Sequence, residues 1–350
     1  MSFEQIPFKT NPNFHFNSTV VQNSESLAGN CNFEVLQNKK DKKVYIYNSY
    51  FNIEDPFEKE NLIQIISLED GKVVKELKGH EDRVLNIRYF YNKETGKEYL
   101  VSADRKYKII VWDINDDYKL LKKIECKYQG FIYSNVLVFR NESIFLITSS
   151  ITNDPAKIVD ITKDEAPREI GSTKDLTIFF METYKKNSKD YLILCGKSKI
   201  KIIELFPEDE PFIKDFDTSK DQEVNMYGLI YKYEGKDYFI SSCTYGGILI
   251  IDLENMQQKG EMKIFDDCNL YNIVQWNEKY LLLLDSENKK ILVMDLKDNR
   301  IISKTVFKEL WHPRYMKKVI HPVYGEAILT VDISWNLNLF THGKITKFSI

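Results

Sequence analysis

A chain of 350 residues is far too long for a minimal domain and comfortable for one large one. Its 49 basic and 52 acidic residues leave a net charge of −3, which excludes a strongly basic nucleic-acid binder. With 43% hydrophobic residues, 21 Tyr and 21 Phe it is not a disordered chain, and 14 Gly with 9 Pro exclude long low-complexity linkers.

Residues 1–10 show no basic start followed by an apolar run, so no secretory leader is expected. From there the chain reads as short β-type runs with almost no helical periodicity. Val44-Tyr45-Ile46-Tyr47, Lys108-Ile109-Ile110-Val111-Trp112, Lys199-Ile200-Lys201-Ile202-Ile203 and Gly247-Ile248-Leu249-Ile250-Ile251 are typical. They are rich in β-branched and aromatic residues and bounded by Asp, Asn, Gly and Lys. The most apolar stretches, residues 191–195 and 280–284, have strand length and fall far short of a membrane span, so no membrane insertion is expected. Cys31, Cys126, Cys195, Cys243 and Cys268 show no CxxC spacing. They read as reduced, mostly buried thiols of an intracellular chain, cytoplasmic rather than nuclear.

One feature recurs along the chain. An apolar strand ends in a small polar or acidic residue and then turns, at Ile66-Ser67, Trp112-Asp113, Val159-Asp160, Ile203-Glu204, Ile251-Asp252, Met294-Asp295 and Phe340-Thr341. The second members are spaced by 46, 47, 44, 48, 43 and 46 residues. A second marker opens an earlier strand of each unit, at Phe33, Val84, Ser134, Leu176, Tyr227, Tyr271 and Met316, spaced by 51, 50, 42, 51, 44 and 45. Both markers count seven units of about 45 residues, each with room for four short strands. One such sheet cannot cover its own apolar faces, whereas stacked radially against two neighbours it buries both. The expected fold is all-β: a seven-bladed β-propeller of four-stranded antiparallel blades. The propeller spans residues 31–350, with blades near 31–79, 80–126, 127–174, 175–222, 223–267, 268–312 and 313–350. Residues 1–30 form an N-terminal segment that closes the ring or adds an outer strand. Residues 14–22 and residues 344–350 both read as strands for that place, and the choice between them stays open. Blade 1 carries the one visible insertion, residues 52–61.

Blade 2 opens with Gly79-His80 and ends its third strand in Trp112-Asp113. This resembles the WD-repeat family. The resemblance implies a blade-locking hydrogen-bonded set of His80, Ser102 and Trp112, completed by an acid in the turn. The position expected for that acid, six residues before the Trp, holds Lys106, so the set is expected to be incomplete; Asp104 could serve only in a shifted register. No other blade keeps both signatures. The resemblance also implies scaffolding within a multiprotein complex.

Chemistry is sparse. No Gly-rich phosphate loop or Gly-x-Ser-x-Gly occurs, and His15, His80, His312, His321 and His342 show no metal-ligand spacing. No catalytic residue, metal, cofactor or small-molecule ligand is expected. Carboxylates such as Asp116-Asp117 and Glu208-Asp209-Glu210, and lysine clusters such as Lys185-Lys186, read as solvated turns, so direct nucleic-acid contact is not expected. In a propeller the loops before each first strand and the turns between second and third strands share one rim. There the sequence places Arg83, Arg105, Tyr133, Tyr245, Tyr315 and Trp335, residue types that anchor protein interfaces, although aromatics at those positions can also pack between blades. The functional expectation is a non-catalytic scaffold that binds partner proteins or peptides through this rim. Two alternatives remain: an architectural subunit of a cytoskeletal or ribonucleoprotein assembly that binds through blade edges, and a propeller enzyme with carboxylates at the channel mouth.

Overall fold

The computed structural model describes residues 8–15, 33–38, 41–50, 61–69, 71–174, 176–217, 224–263, 269–306, 313, 315–322, 325–331 and 337–342. These residues form seven four-stranded antiparallel sheets and no α-helix; two single turns of 3-10 helix, Gly171–Thr173 and Thr244–Gly246, are the helical exceptions. Six sheets are consecutive meanders. The first strands, innermost in the ring, are Phe33–Gln37, Val84–Tyr91, Ile132–Arg140, Ile178–Lys186, Asn225–Tyr233 and Leu270–Gln275. The seventh blade joins Tyr315–His321, Gly325–Val331 and Leu337–His342 to the N-terminal strand Phe8–His15. The expected seven-bladed propeller is the observed fold.

Closure comes from the N-terminal segment, on a strand that begins earlier than residues 14–22 and shares only Phe14 and His15 with them. Phe8–His15 pairs antiparallel with Leu337–His342, Phe8 opposite His342 and His15 opposite Asn338, with a bulge between Thr10 and His15. Pro12 lies in this bulge. Proline lacks the ladder donor and is tolerated only at such edge positions, so Asn11-Pro12-Asn13 reads in sequence as a break, not as a strand. Residues 16–22 and 344–350, like the blade 1 insertion at 51–60, lie outside the described residues.

The burial logic is visible seam by seam. Seven apolar clusters fill the seven interfaces between neighbouring blades. In blade 2, Ile110 and Trp112 face blade 1 while Ile109 and Val111 face blade 3. Alternate side chains thus enter opposite seams, which explains a strand apolar at every position. The closing seam packs Phe33, Ile46 and Ile66 of blade 1 against Tyr315, Val319 and Leu329 of blade 7. Each large aliphatic side chain withdrawn from water contributes about 1.5–3 kcal/mol.

The repeated acid has a local cause. Asp113, Asp160, Asp252 and Asp295 each end a third strand and accept backbone N–H bonds from the following turn, for example Glu254 N at 2.9 Å and Asn255 N at 3.0 Å on Asp252 Oδ1. This is the Asx-turn, and it needs a short side chain with an acceptor oxygen. Burial opposes ionisation of Asp160 and Asp252. The hydrogen bonds win, from Thr162 and Ser143 at Asp160 and from Asn255 and Glu254 at Asp252, and both carboxyls titrate below the ordinary value. A depressed folded-state pKa adds stability above the unfolded value, near 4, and loses it as pH falls through the folded one. Asp252→Ala should therefore cost about 1–3 kcal/mol at neutral pH. In urea titrations the gap from the parent protein should narrow as pH drops below about 4. A gap that stays constant into acid would show that the charge on Asp252 contributes nothing.

Two bulges recur as regularly as the acid. At the start of the first strand in blades 2 to 6 the register slips by one, leaving Leu85, Tyr133, Phe179, Met226 and Tyr271 outside the ladder. At the start of the outer strand in blades 1, 2, 5 and 6 it slips again, at Val74, Leu121, Lys259 and Ile302. The first set lies at the end of the ring where the chain enters each innermost strand, the upper end. The second lies at the lower end, with the turns that leave the innermost and third strands.

Candidate functional site

His80 is buried on the edge of blade 2. Its Nε2 lies 2.7 Å from Ser102 Oγ and its Nδ1 3.0 Å from Asp104 Oδ2, and Trp112 Nε1 donates to Ser102 Oγ at 2.9 Å. The expectation of an incomplete set is corrected here: Asp104, not Lys106, supplies the acid. Asp104 ends the second strand opposite Val84, and its other oxygen accepts the backbone N–H groups of Lys106 at 2.9 Å and Lys108 at 3.0 Å. These bonds turn its carboxylate back toward His80. Gly79, at φ +154, leaves the space that Ile110 and Trp112 close upon.

Side chains of the innermost strands meet across the middle of the ring. Arg88 on the innermost strand of blade 2 donates to the carbonyls of Asn135 in blade 3 and Met181 in blade 4, each at 2.9 Å, and pairs with Glu182 of blade 4 at 2.9 Å. Its guanidinium also lies 5.6 Å from the centre of the Phe180 ring. Phe180 packs on Tyr227 of blade 5 at 4.6 Å, Tyr227 on Tyr315 of blade 7 at 6.0 Å, and Tyr315 on Phe33 of blade 1 at 5.2 Å. Glu34 of blade 1 completes the set, pairing with Lys317 of blade 7 and accepting the backbone N–H of Tyr89 in blade 2 at 3.4 Å. The residue after the upper bulge also ties blade 2 to blade 3 and blade 3 to blade 4: Asn86 to the Tyr133 carbonyl and to Asn135, and Ser134 to Met181 N.

The six expected rim residues therefore separate. Tyr133 and Tyr315 are only 4% and 5% exposed, packed on Phe179 and on Phe33 with Tyr227. As exposed anchors they are corrected: the ring is narrow enough for innermost-strand aromatics from different blades to meet, so they face one another, not solvent. Arg83 and Arg105 do share the upper end, joined by a bond from Arg105 N to the Arg83 carbonyl at 3.0 Å. Arg105 is half exposed, with Nε 3.5 Å from Asp82 Oδ1. The side chain of Tyr245, and Trp335 altogether, lie outside the described residues, as does His312.

Sequence reading missed where the exposed apolar surface lies. The exposed large hydrophobics among the described residues are Val73, Val74, Tyr91, Leu120, Leu121, Phe212, Ile213 and Ile320. All belong to the lower end: six begin or just precede outer strands, and Tyr91 and Ile320 end or nearly end innermost ones. Val74 reaches 55% exposure and Ile320 65%. The signal was present in Val73-Val74, Leu120-Leu121 and Phe212-Ile213, paired apolar residues that alternation alone would not produce. Among the described residues no group of three or more His, Cys, Asp or Glu side chains could hold a metal ion. Burial pushes the Cys126 thiol up to about 11 and the Cys195 thiol up to about 12, so neither is a nucleophile near neutral pH.

No family model matches the sequence, and no curated protein matches it. Solved structures do. The β-propeller domain of Cps50 (Swd1) from Myceliophteria thermophila aligns with a TM-score of 0.65 at 14% identity, covering 94% of this chain and 99% of that one. BBS1N, solved in complex with ARL6DN, aligns with a TM-score of 0.62 at 11% identity, covering 92% of this chain and 95% of that one. The likeness is one of fold. It extends over nearly the whole chain, and at such identity residue roles do not carry across.

Proposed function

We propose that this propeller is a non-catalytic scaffold of the degenerate WD-repeat type, holding partner proteins within an intracellular complex. The His80, Ser102, Trp112 and Asp104 set in one blade supports the type, and the buried free thiols Cys126, Cys195 and Cys243 suit a reducing compartment. BBS1N, similar in fold, was solved with a bound protein, ARL6DN, which makes partner binding the natural use of such a scaffold.

The observation that carries the reading is the gathering of exposed apolar side chains at one end of the ring. Monomeric proteins rarely concentrate apolar surface this way without a use for it. The contact surface is accordingly the lower end, with Val73, Val74, Leu120 and Leu121 on neighbouring blades at its centre. Arg83 and Arg105 at the upper end form a smaller polar contact, the remnant of the rim expected from sequence.

Affinity purification of a Val74→Lys/Leu121→Lys variant beside an Arg83→Glu/Arg105→Glu variant tests this. Both positions of the first pair are exposed bulge residues, so thermal stability should stay within about 0.5 kcal/mol of the parent. The lower-end variant should lose the stoichiometric partner set while the upper-end variant keeps most of it. Loss only in the arginine variant would return the interface to the upper rim.

A further inference from the structure

Two seams between blades are closed at the lower end by an ion pair. In the seam between blades 1 and 2, Lys75 of the outer strand donates to Asp117 Oδ1 at 2.6 Å and to the Asp117 carbonyl at 3.0 Å. In the seam between blades 2 and 3, Lys122 donates to Asp164 Oδ1 at 3.1 Å and to the Lys163 carbonyl at 3.2 Å. Both lysines pair with the residue two before the end of the third strand, Lys75 with Ile65 and Lys122 with Val111. Both acids stand four residues beyond the Asp that ends the third strand of the next blade, Asp113 or Asp160.

The seam between blades 5 and 6 lacks both halves of this pair. The residue opposite Ile250 is Gly260, and the residue four beyond Asp295 is Asn299. A Cβ built at Gly260 meets nothing within 4 Å. A pocket of about 290 Å³ opens there, lined by no carboxylate but by Lys259, Lys297, Asn299 and three tyrosines. Tyr231 and Tyr238 stack at 5.5 Å, and Ile250 and Leu296 add apolar wall. Tyr231 is only 4% exposed, yet its hydroxyl has no hydrogen-bond partner among the described residues. Burial keeps this phenol protonated far above neutral pH, so it can donate. Burial and the nearby Glu234 hold the Tyr233 phenol protonated as well.

Three carboxylates beside the two lysines are already engaged. Asp252 accepts the N–H groups of its turn and the Asn255 amide at 2.9 Å, and Lys259 Nζ stays 3.7 Å from it. Asp295 accepts Lys297 N at 2.8 Å, and Asp298 pairs with Arg300 at 3.2 Å. The Lys297 ammonium forms no ion pair among the described residues. The lining thus carries positive charge and hydrogen-bond donors against an aromatic wall.

We propose that this pocket binds an anionic oxygen group, phosphate or carboxylate, carried on an aromatic ring. The ring packs on the tyrosine pair and on Leu296, and the anion receives the two ammonium groups and the Tyr231 hydroxyl. A free small molecule and a phosphorylated tyrosine of a partner share this chemistry. Only the second source rests on the partner-binding reading.

Saturation-transfer NMR on the full chain tests the pocket without any partner, so failure here is distinct from failure of the capture experiment. The probes are phenyl phosphate and benzoate, with benzylammonium as the cationic control. The ring protons of both anions should receive saturation, and those of benzylammonium should stay at background. In titrations, Lys259→Gln/Lys297→Gln and Tyr231→Phe should each weaken phenyl phosphate binding about tenfold or more, the loss of hydrogen bonds to a charged group. Gly260→Leu fills the pocket from open space and should abolish transfer with an unchanged melting temperature. The exposed lysine pair serves if that variant does not fold. A short phosphotyrosine peptide separates the sources: binding tighter than phenyl phosphate supports a residue of a partner, and equal or weaker binding supports a free small molecule. Transfer to benzylammonium equal to that of the anions, transfer to no probe, or phenyl phosphate binding unchanged in the lysine variant overturns the proposal.

Discussion

Tyr315→Ala should destabilise the propeller by about 3–5 kcal/mol, the cost of emptying a buried aromatic site. The ring lies at the closing seam against Phe33 and also meets Tyr227 from blade 5, so its loss opens both the seam and the middle of the ring. The surrounding strands are fixed by their ladders and cannot collapse into the space. A fall in melting temperature of about 4–7 °C is the expected readout for a chain of this size. Tyr315→Phe retains the ring contacts and should keep most of the stability. Had Tyr315 been an exposed interface anchor, Tyr315→Ala would leave the melting temperature unchanged and remove partner binding instead; that result would refute the packing described above.

Trp112→Ala should be as costly, about 3–5 kcal/mol, for two separable reasons. The indole fills the seam between blades 1 and 2, beside Ile63, Ile65 and Leu77. Its Nε1 also donates to Ser102 Oγ, the atom that His80 Nε2 meets from the other side. Trp112→Phe removes the donor and keeps most of the volume, and should cost about 1–2 kcal/mol. The hydrogen-bonded part is identified by combining it with Ser102→Ala. If the three groups act as one network, the double variant loses clearly less than the sum of the singles, measured by urea denaturation. Simple additivity would mean that Trp112 contributes packing alone.

What could be read in advance follows from how each feature is written in the chain. The seven-fold period was legible because the same turn recurs, and an Asp at the end of the third strand is what that turn requires, as Asp113, Asp160, Asp252 and Asp295 show. Alternating apolar strands were legible because both faces of each blade are seams. Asp104 was offered by the sequence only in a shifted register, because counting back from Trp112 fixes a spacing, whereas the hydrogen bonds from Lys106 N and Lys108 N fix the direction of the carboxylate. The rim tyrosines were misplaced because a one-dimensional pattern gives the strand a residue belongs to, but not that Tyr133 and Tyr315 meet aromatic rings from other blades. Glu34 and Lys317 pair across 283 positions, and Arg88 reaches Glu182 across 94. Nothing local announces either.

Repeat proteins usually behave as chains of nearest neighbours, each unit coupled only to the next, and can open one unit at a time. The bonds that run through the middle of this ring break that rule. Arg88 links blade 2 to blade 4, and the Tyr227–Tyr315 contact links blade 5 to blade 7, each passing over an intervening blade. They act as spokes in a wheel whose rim is already closed by Phe8–His15. A single blade cannot swing outward without loosening spokes anchored elsewhere, so fraying of one repeat costs something at its second neighbours. The wheel should melt as one unit, and until it does so the blades at its lower end keep their spacing.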